Sequence, residues 1–149
     1  MSADQLHELR RRVLRNDDAT LYHPDGRDAE ATSIHFGGFL AHRLVVSASF
    51  FPSSAPMNQS LTTYQLRYMA TDFDVQGLGY GARVLAAAEV DLRAMGVEQL
   101  WANGRDTALN FYRRVGWKSV EGSEHLSAET QLPHTVIFKV LGADEGPST

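Results

Sequence analysis

Residues 66–82 read LRYMATDFDVQGLGYGA, and this stretch decides the fold. It begins in a run rich in Thr and Tyr, Leu61–Thr71, which predicts a β-strand. It ends in an alanine-rich stretch, Gly79–Met95, in which Val84, Leu85, Ala88, Leu92 and Met95 recur on one face of a helix, with Gly96 as the stop. Between them lie Gly77, Gly79 and Gly81, spaced G-x-G-x-G. That spacing is neither the G-x-G-x-x-G of a dinucleotide fold nor the G-x-x-x-x-G-K-[ST] of a phosphate-binding P-loop. The physical consequence is shared nonetheless. Glycines let the backbone approach a ligand closely, and the first turn of a helix offers unpaired N–H groups and a partial positive charge. The turn is therefore either an anion site suited to a pyrophosphate or simply a tight connection.

Working outward, Val97–Ala102 predicts a short apolar strand, so strand–helix–strand from Leu61 to Ala102 implies a parallel pair with a right-handed crossover. Thr107–Val115 predicts a second helix, with Asp106 as its cap and Gly116 as its end. Trp117–Glu121 and His134–Leu141 predict closing strands. Upstream, Ala3–Arg15 predicts a helix with Leu6, Leu9 and Val13 on the buried face and Arg10, Arg11, Arg12 and Arg15 on the rest. Residues 16–31, with a turn at Pro24–Gly26, predict a loop. Thr32–Leu40 and Leu44–Phe51 predict a β-hairpin around Ala41–Arg43, and residues 52–60 a second loop. The order α-β-β-β-α-β-α-β-β implies an α/β (α+β) layered domain with a mixed central sheet.

The chain has 149 residues and no cysteine. That length suits one domain, read as 1–141 with a disordered tail over 142–149. The lack of cysteine excludes disulfide scaffolds, thiolate zinc sites and cysteine nucleophiles. The six histidines show no H-x-x-x-H or H-x-H spacing, and no metal is expected. No G-x-S-x-G elbow supports a serine hydrolase. No apolar run is long enough for a membrane helix, and the N-terminus lacks a secretory leader, so a cytoplasmic protein with no membrane partner is expected. The net charge of −4 argues against a general nucleic-acid binder, although the LRRRVLR helix keeps a local basic face in view. Twelve Arg stand against two Lys, a bias that genome base composition also produces.

Leu66–Ala82 resembles the acetyl-CoA-binding signature of the GNAT acetyltransferase superfamily, in which a strand end and a short loop lead to Gln/Arg-x-x-Gly-x-Gly/Ala at the start of a helix. Gln76, Gly79 and Gly81 match its defined positions, and Thr71 lies where the strand ends. The second half of the family pattern follows in order. Asn103, Ala108, Tyr112, Gly116 and Trp117 match Asn…Ala-x-x-(Phe/Leu)-Tyr-x-x-x-Gly-(Phe/Trp). The resemblance covers about Leu61–Leu141, and the closing Leu132-Pro133-His134…Lys139 is similar to the ElaA-like branch. One departure stands out: no strand precedes the first helix.

The resemblance implies transfer of an acetyl group from acetyl-CoA, as co-substrate, to an amine of a small molecule or protein. It implies a splayed parallel strand pair with helices on both sheet faces. The backbone of Met69, Ala70 and Thr71 would hold the pantetheine arm. Gln76, Gly77, Leu78, Gly79, Tyr80, Gly81 and Ala82 would hold the pyrophosphate, with Asn103 nearby and Arg83, Arg113 and Arg114 as candidates for the outer phosphate. Tyr112 would donate a proton to the departing thiolate; otherwise it is a core aromatic. The strand Leu61–Thr71 carries no carboxylate, so the base that accepts the amine's proton must come from elsewhere. His134 and His35 are the first candidates, with Glu124 and Asp28 behind them, each alternatively a hydrogen-bonded structural residue. Arg67, inside the strand, either binds an acidic acceptor or is solvated. A GNAT-like domain that holds CoA without catalysis, as a sensor or partner domain, is the competing reading. The acceptor is not legible in the sequence, and a homodimer is an open option.

Overall fold

The computed structural model describes residues 1–14, 25–58, 61–128 and 130–142. Arg15 at the expected end of the first helix, residues 16–24 of the first loop, 59–60 of the second and the tail 143–149 lie outside the described residues. The elements are α1 (Ala3–Leu14), β1 (Ile34–Leu40), β2 (Arg43–Pro52), β3 (Thr63–Thr71), α2 (Tyr80–Ala94), β4 (Gln99–Arg105), α3 (Leu109–Arg114), β5 (Lys118–Ser119), β6 (His125–Leu126) and β7 (Pro133–Val140). Short 3-10 turns lie at Gly26–Ala29, Phe73–Val75 and Asp106–Ala108. Among the described residues the strands form one mixed sheet in the order β1-β2-β3-β4-β7-β5, with β6 on β7. No helix among the described residues is long and apolar enough to cross a membrane.

The chain packs as two compact units, Met1–Phe51 with Leu66–Asp91, and Pro52–Gln65 with Leu92–Thr149. In the first, Ser2 and Gln5 form a reciprocal cap on α1: the Gln5 N–H donates to Ser2 Oγ at 3.1 Å and the Ser2 N–H to Gln5 Oε1 at 3.0 Å. Leu6 and Leu9 are buried as their spacing requires, and Leu9 packs with Leu44 and Ala70. β1 and β2 pair antiparallel from Ile34–Phe50 to Leu40–Arg43, turning on Ala41 at φ 56°. Every residue of β2 between Arg43 and Pro52 is buried, so the strand is apolar apart from Ser47 and Ser49.

Arg10 corrects the sequence reading. Its spacing sets it apart from the apolar face of Leu6, Leu9 and Val13, yet it is fully buried. Its guanidinium donates to both Asp28 oxygens, at 2.8 and 3.2 Å, and to Ser49 Oγ at 2.6 Å, and it lies 4.3 Å from the Tyr68 ring centroid. A buried cation is tolerated when it is paired and hydrogen-bonded in this way.

The second unit contains the parallel register Thr63–Gln99, Tyr64–Leu100, Gln65–Trp101 and the long antiparallel ladder of β4 with β7, from Gln99–Val140 to Arg105–His134. Its core gathers Ala55, Trp101 and Val136, with Met57, Val120 and Phe138 against them. The Trp101 indole N–H donates to the Ser53 carbonyl at 3.0 Å.

Boundaries moved where backbone groups were already committed. Both glycine stops, Gly96 (φ 90°) and Gly116 (φ 97°), close left-handed helix ends. Val97 N–H returns to the Leu92 carbonyl (3.1 Å) and Trp117 N–H to the Tyr112 carbonyl (2.9 Å), so neither starts its strand as expected. β4 therefore begins at Gln99 and β5 at Lys118. Met95, expected on the buried face, lies past the last helical residue and is exposed. Asp106 does not cap α3 through its side chain; it opens the 3-10 turn ahead of it. Strand β6 lies between the two expected closing strands, and its two residues are too few to carry a periodicity.

Replacing Arg10 by Ala removes one partner of a buried ion pair. We expect a loss of about 3 kcal/mol, read as a lower urea midpoint with an unchanged slope.

Candidate active site

Tyr68 sits in the left-handed region, φ 60°, in the middle of β3. A non-glycine residue there is strained and needs surrounding support. Support comes from its hydroxyl, which donates to Asp25 Oδ2 at 2.9 Å, and from Arg10 and Arg67, whose guanidinium carbons lie 4.3 and 4.7 Å from its ring centroid. Arg67 also reaches Asp25 at 3.6 Å, so these consecutive residues serve one cluster instead of pointing to opposite faces. Arg27 grips Asp25 through Nε and Nη2, which, with its backbone N–H and the Tyr68 hydroxyl, holds that carboxyl well below its ordinary range.

At the end of β3 the chain enters the glycine turn. The Gln76 side-chain amide donates to the Thr71 carbonyl at 2.9 Å, and Val75 N–H to the Asp72 carbonyl at 3.1 Å. The buried Asp72 carboxylate accepts from Arg12 at 2.6 Å and Arg43 at 3.0 Å, while its own N–H donates to the Val45 carbonyl at 2.7 Å. Arg43 also binds Asp74 at 2.8 Å. Two cations thus lock the turn to α1 and β2. The sequence reading missed Asp72; its one signal was its place between the strand end and the turn.

Gly77 (φ 81°) and Gly79 (φ 89°) adopt backbone that L side chains rarely accept, and nothing lies within 4 Å of where a Cβ would stand. The requirement for glycine is thus conformational, and the space over the turn is open. The first helical bond of α2 runs from Arg83 N–H to the Gly79 carbonyl at 3.1 Å. The N–H groups of Tyr80, Gly81 and Ala82 precede it and have no partner within the helix. Three donors thus stand at the positive end of a 15-residue helix beside open space, an arrangement whose charge and geometry suit an anion. Leu78 is exposed beside it, and Arg83 is exposed one turn in.

Tyr112 lies on α3 and is buried. The helix end presents it: Gly116 N–H donates to the Arg113 carbonyl and Trp117 N–H to the Tyr112 carbonyl, a left-handed cap that seats the Trp117 ring 5.5 Å from the Tyr112 ring. Burial pushes the phenol's ionisation well above its ordinary value. Asn103 is exposed on β4, opposite Val136 of β7. Arg113 and Arg114 are exposed.

The candidate bases differ in their bonding. His35 is half-buried in the first unit, with Nδ1 2.7 Å from Ser49 Oγ and Nε2 3.0 Å from the Asp28 carbonyl. A carbonyl only accepts, so Nε2 carries the proton and Nδ1 faces the Ser49 hydroxyl. Asp28 is taken up by Arg10. In the second unit, the Nδ1 of His134 lies 2.8 Å from the Leu132 carbonyl, which fixes its proton there and leaves Nε2 as the acceptor. Glu124 lines an open groove with Asp106, Asn110, Arg113, Glu121 and Thr135. His35 and Asp28 are thus brought into one network, whereas Tyr112, Asn103, His134 and Glu124 belong to the other unit.

Residues 4–117 match the family model described as Acetyltransferase (GNAT) family. An uncharacterized N-acetyltransferase of Bacillus subtilis (strain 168), YitI, is 30% identical over 141 residues, covering 95% of this chain and 93% of its own. In fold, the chain is similar to Escherichia coli ElaA (TM-score 0.71, 18% identity, 93% of this chain and 92% of that one). It is also similar to an aminoglycoside 6'-N-acetyltransferase whose structure was solved with coenzyme A (TM-score 0.70, 15% identity, 93% and 90%). The chain belongs to the GNAT acetyltransferase family and is an acyltransferase.

The buried phenol yields a prediction about pH. The folded state keeps its Tyr112 proton to higher pH than the unfolded chain, so its contribution to stability is full below about pH 10 and declines as pH rises beyond it. In a carbon-13 titration, Tyr112 should ionise well above the ordinary range of a phenol. An ordinary Tyr112 midpoint would contradict the burial argument.

Proposed function

We propose that this GNAT acetyltransferase takes acetyl-CoA as co-substrate at the turn Gln76–Ala82 and transfers the acetyl group to an amine of a small molecule or protein. The observation that carries the reading is the turn itself: left-handed Gly77 and Gly79, open space above them, and three N–H groups at the start of α2 that precede its first helical bond. A diphosphate suits this arrangement because the backbone supplies the field and no side-chain cation is required. In this reading Met69, Ala70 and Thr71 hold the pantetheine arm through backbone groups, since β3 continues to Thr71 beyond its register with β4 at Thr63–Gln65.

Tyr112 then serves the leaving group. A free phenol, pKa about 10, is a weaker acid than a thiol at about 8.5, so full proton transfer already runs uphill by about 2 kcal/mol. Burial raises the phenol further. Tyr112 therefore acts as a hydrogen-bond donor to the developing thiolate, and the proton need not cross completely. On the acceptor side, His134 is the better base. Its Nδ1 proton is anchored on a carbonyl, which leaves the Nε2 lone pair as the acceptor, whereas both His35 nitrogens are engaged, by Ser49 and by the Asp28 carbonyl. His134 takes the proton the amine must shed on attacking the thioester.

Five substitutions test the reading. Gly79→Val puts a β-branched residue at φ 89°, at a cost of about 1–2 kcal/mol, and should weaken CoA binding about tenfold or more by calorimetry. Gly122→Ala, equally left-handed at φ 79° but outside the turn, should leave CoA affinity unchanged. Equal affinities in the two folded variants would sink the cradle.

Tyr112→Phe should lower kcat with little change in acetyl-CoA affinity, the mark of an interaction made in the transition state. Wild-type turnover would return Tyr112 to a packing role. His134→Gln should cost about a hundredfold in turnover while His35→Gln costs much less; the reverse order would exchange their roles.

A further inference from the structure

His125 and His134 stand nine residues apart in the chain, yet the antiparallel register of β6 and β7 places them directly opposite one another. Direct partners project to the same sheet face. Their ring centroids are 6.1 Å apart with the planes 33° from parallel. Each ring is oriented in the same way: His125 Nδ1 lies 2.8 Å from the Ser123 carbonyl and His134 Nδ1 2.8 Å from the Leu132 carbonyl. Because carbonyls only accept, each Nδ1 carries its proton and each neutral ring offers Nε2 as a lone-pair donor. A backbone carbonyl that holds one ring nitrogen and leaves the other as a lone-pair donor is the support that metal-binding imidazoles typically have.

We propose that His125 and His134 form a two-imidazole site for a borderline divalent cation such as zinc. Two imidazoles sharing one zinc at about 2.0–2.1 Å place their ring centroids roughly 5–6 Å apart, so a small ring rotation closes the pair. His125 is exposed and His134 partly so, which leaves the site open to solvent. No third protein ligand joins them among the described residues, and water completes the coordination. Nitrogen donors favour copper, nickel and zinc over magnesium and calcium. Bound there, the ion occupies the Nε2 lone pair that His134 uses as base, so it inhibits acetyl transfer. That consequence, unlike the binding itself, rests on the reading of His134 given above. The spacing alone could not reveal the pair, because the register of a two-residue strand creates it.

Zinc chloride is titrated calorimetrically into the protein without CoA, whose thiol would itself take zinc. One saturable site is expected, weakened about tenfold or more in His125→Gln and in His134→Gln and retained in His42→Gln; magnesium chloride should give no binding. Turnover should fall with zinc in the wild-type protein. His125→Gln, with wild-type turnover in the absence of zinc, should resist that inhibition. Equal zinc affinity in wild type and His125→Gln overturns the site. Zinc binding through both histidines without inhibition upholds the site and overturns His134 as the base.

Discussion

The buried carboxylate of Asp72 is the constraint on which the first unit's chemistry depends. It holds Arg12 of α1 and Arg43 of β2 at 2.6 and 3.0 Å, and its backbone fixes both the next 3-10 turn and the end of β3. A glycine turn is flexible by composition, and an anion cradle needs its N–H groups fixed before the ligand arrives. The two arginines resolve that conflict from outside the turn. The glycines supply the left-handed backbone, and Asp72 removes the freedom they would otherwise keep.

A second device recurs in the other unit. α2 and α3 both end on a left-handed glycine whose following residue folds back onto the last turn, Val97 onto Leu92 and Trp117 onto Tyr112. In each case both partners are buried. In α3 the same closure keeps the phenol dry and so protonated, as the donor role proposed for Tyr112 requires. Six residues form a weak helix on their own, so the packing of Trp117 on Tyr112 supplies what propensity does not.

Local features were legible in the sequence and long-range ones were not. Gly77, Gly79, Gly96 and Gly116 announced their turns because positive φ is a property of one residue. The buried faces of α1 and α2 followed from periodicity. The burial of Arg10 was not legible because a helix read alone cannot show that Asp28 and Ser49 wait beneath it. Asp72 and Tyr68 gave no pattern, since their roles are set by partners far along the chain, Arg12 and Arg43 for one and Asp25 for the other. The order of candidate bases likewise came from tautomers fixed by neighbouring carbonyls, which composition cannot encode.

The central claim is that backbone N–H groups at the start of α2 hold the diphosphate of acetyl-CoA. Amide nitrogen–proton correlation spectra recorded while CoA is added test it directly. The account predicts that the resonances of Gly77 to Ala82 move first and furthest, with the Tyr80, Gly81 and Ala82 protons shifting downfield as they take up charged acceptors. Binding of CoA that leaves those amides in place, with the largest shifts elsewhere, would contradict it.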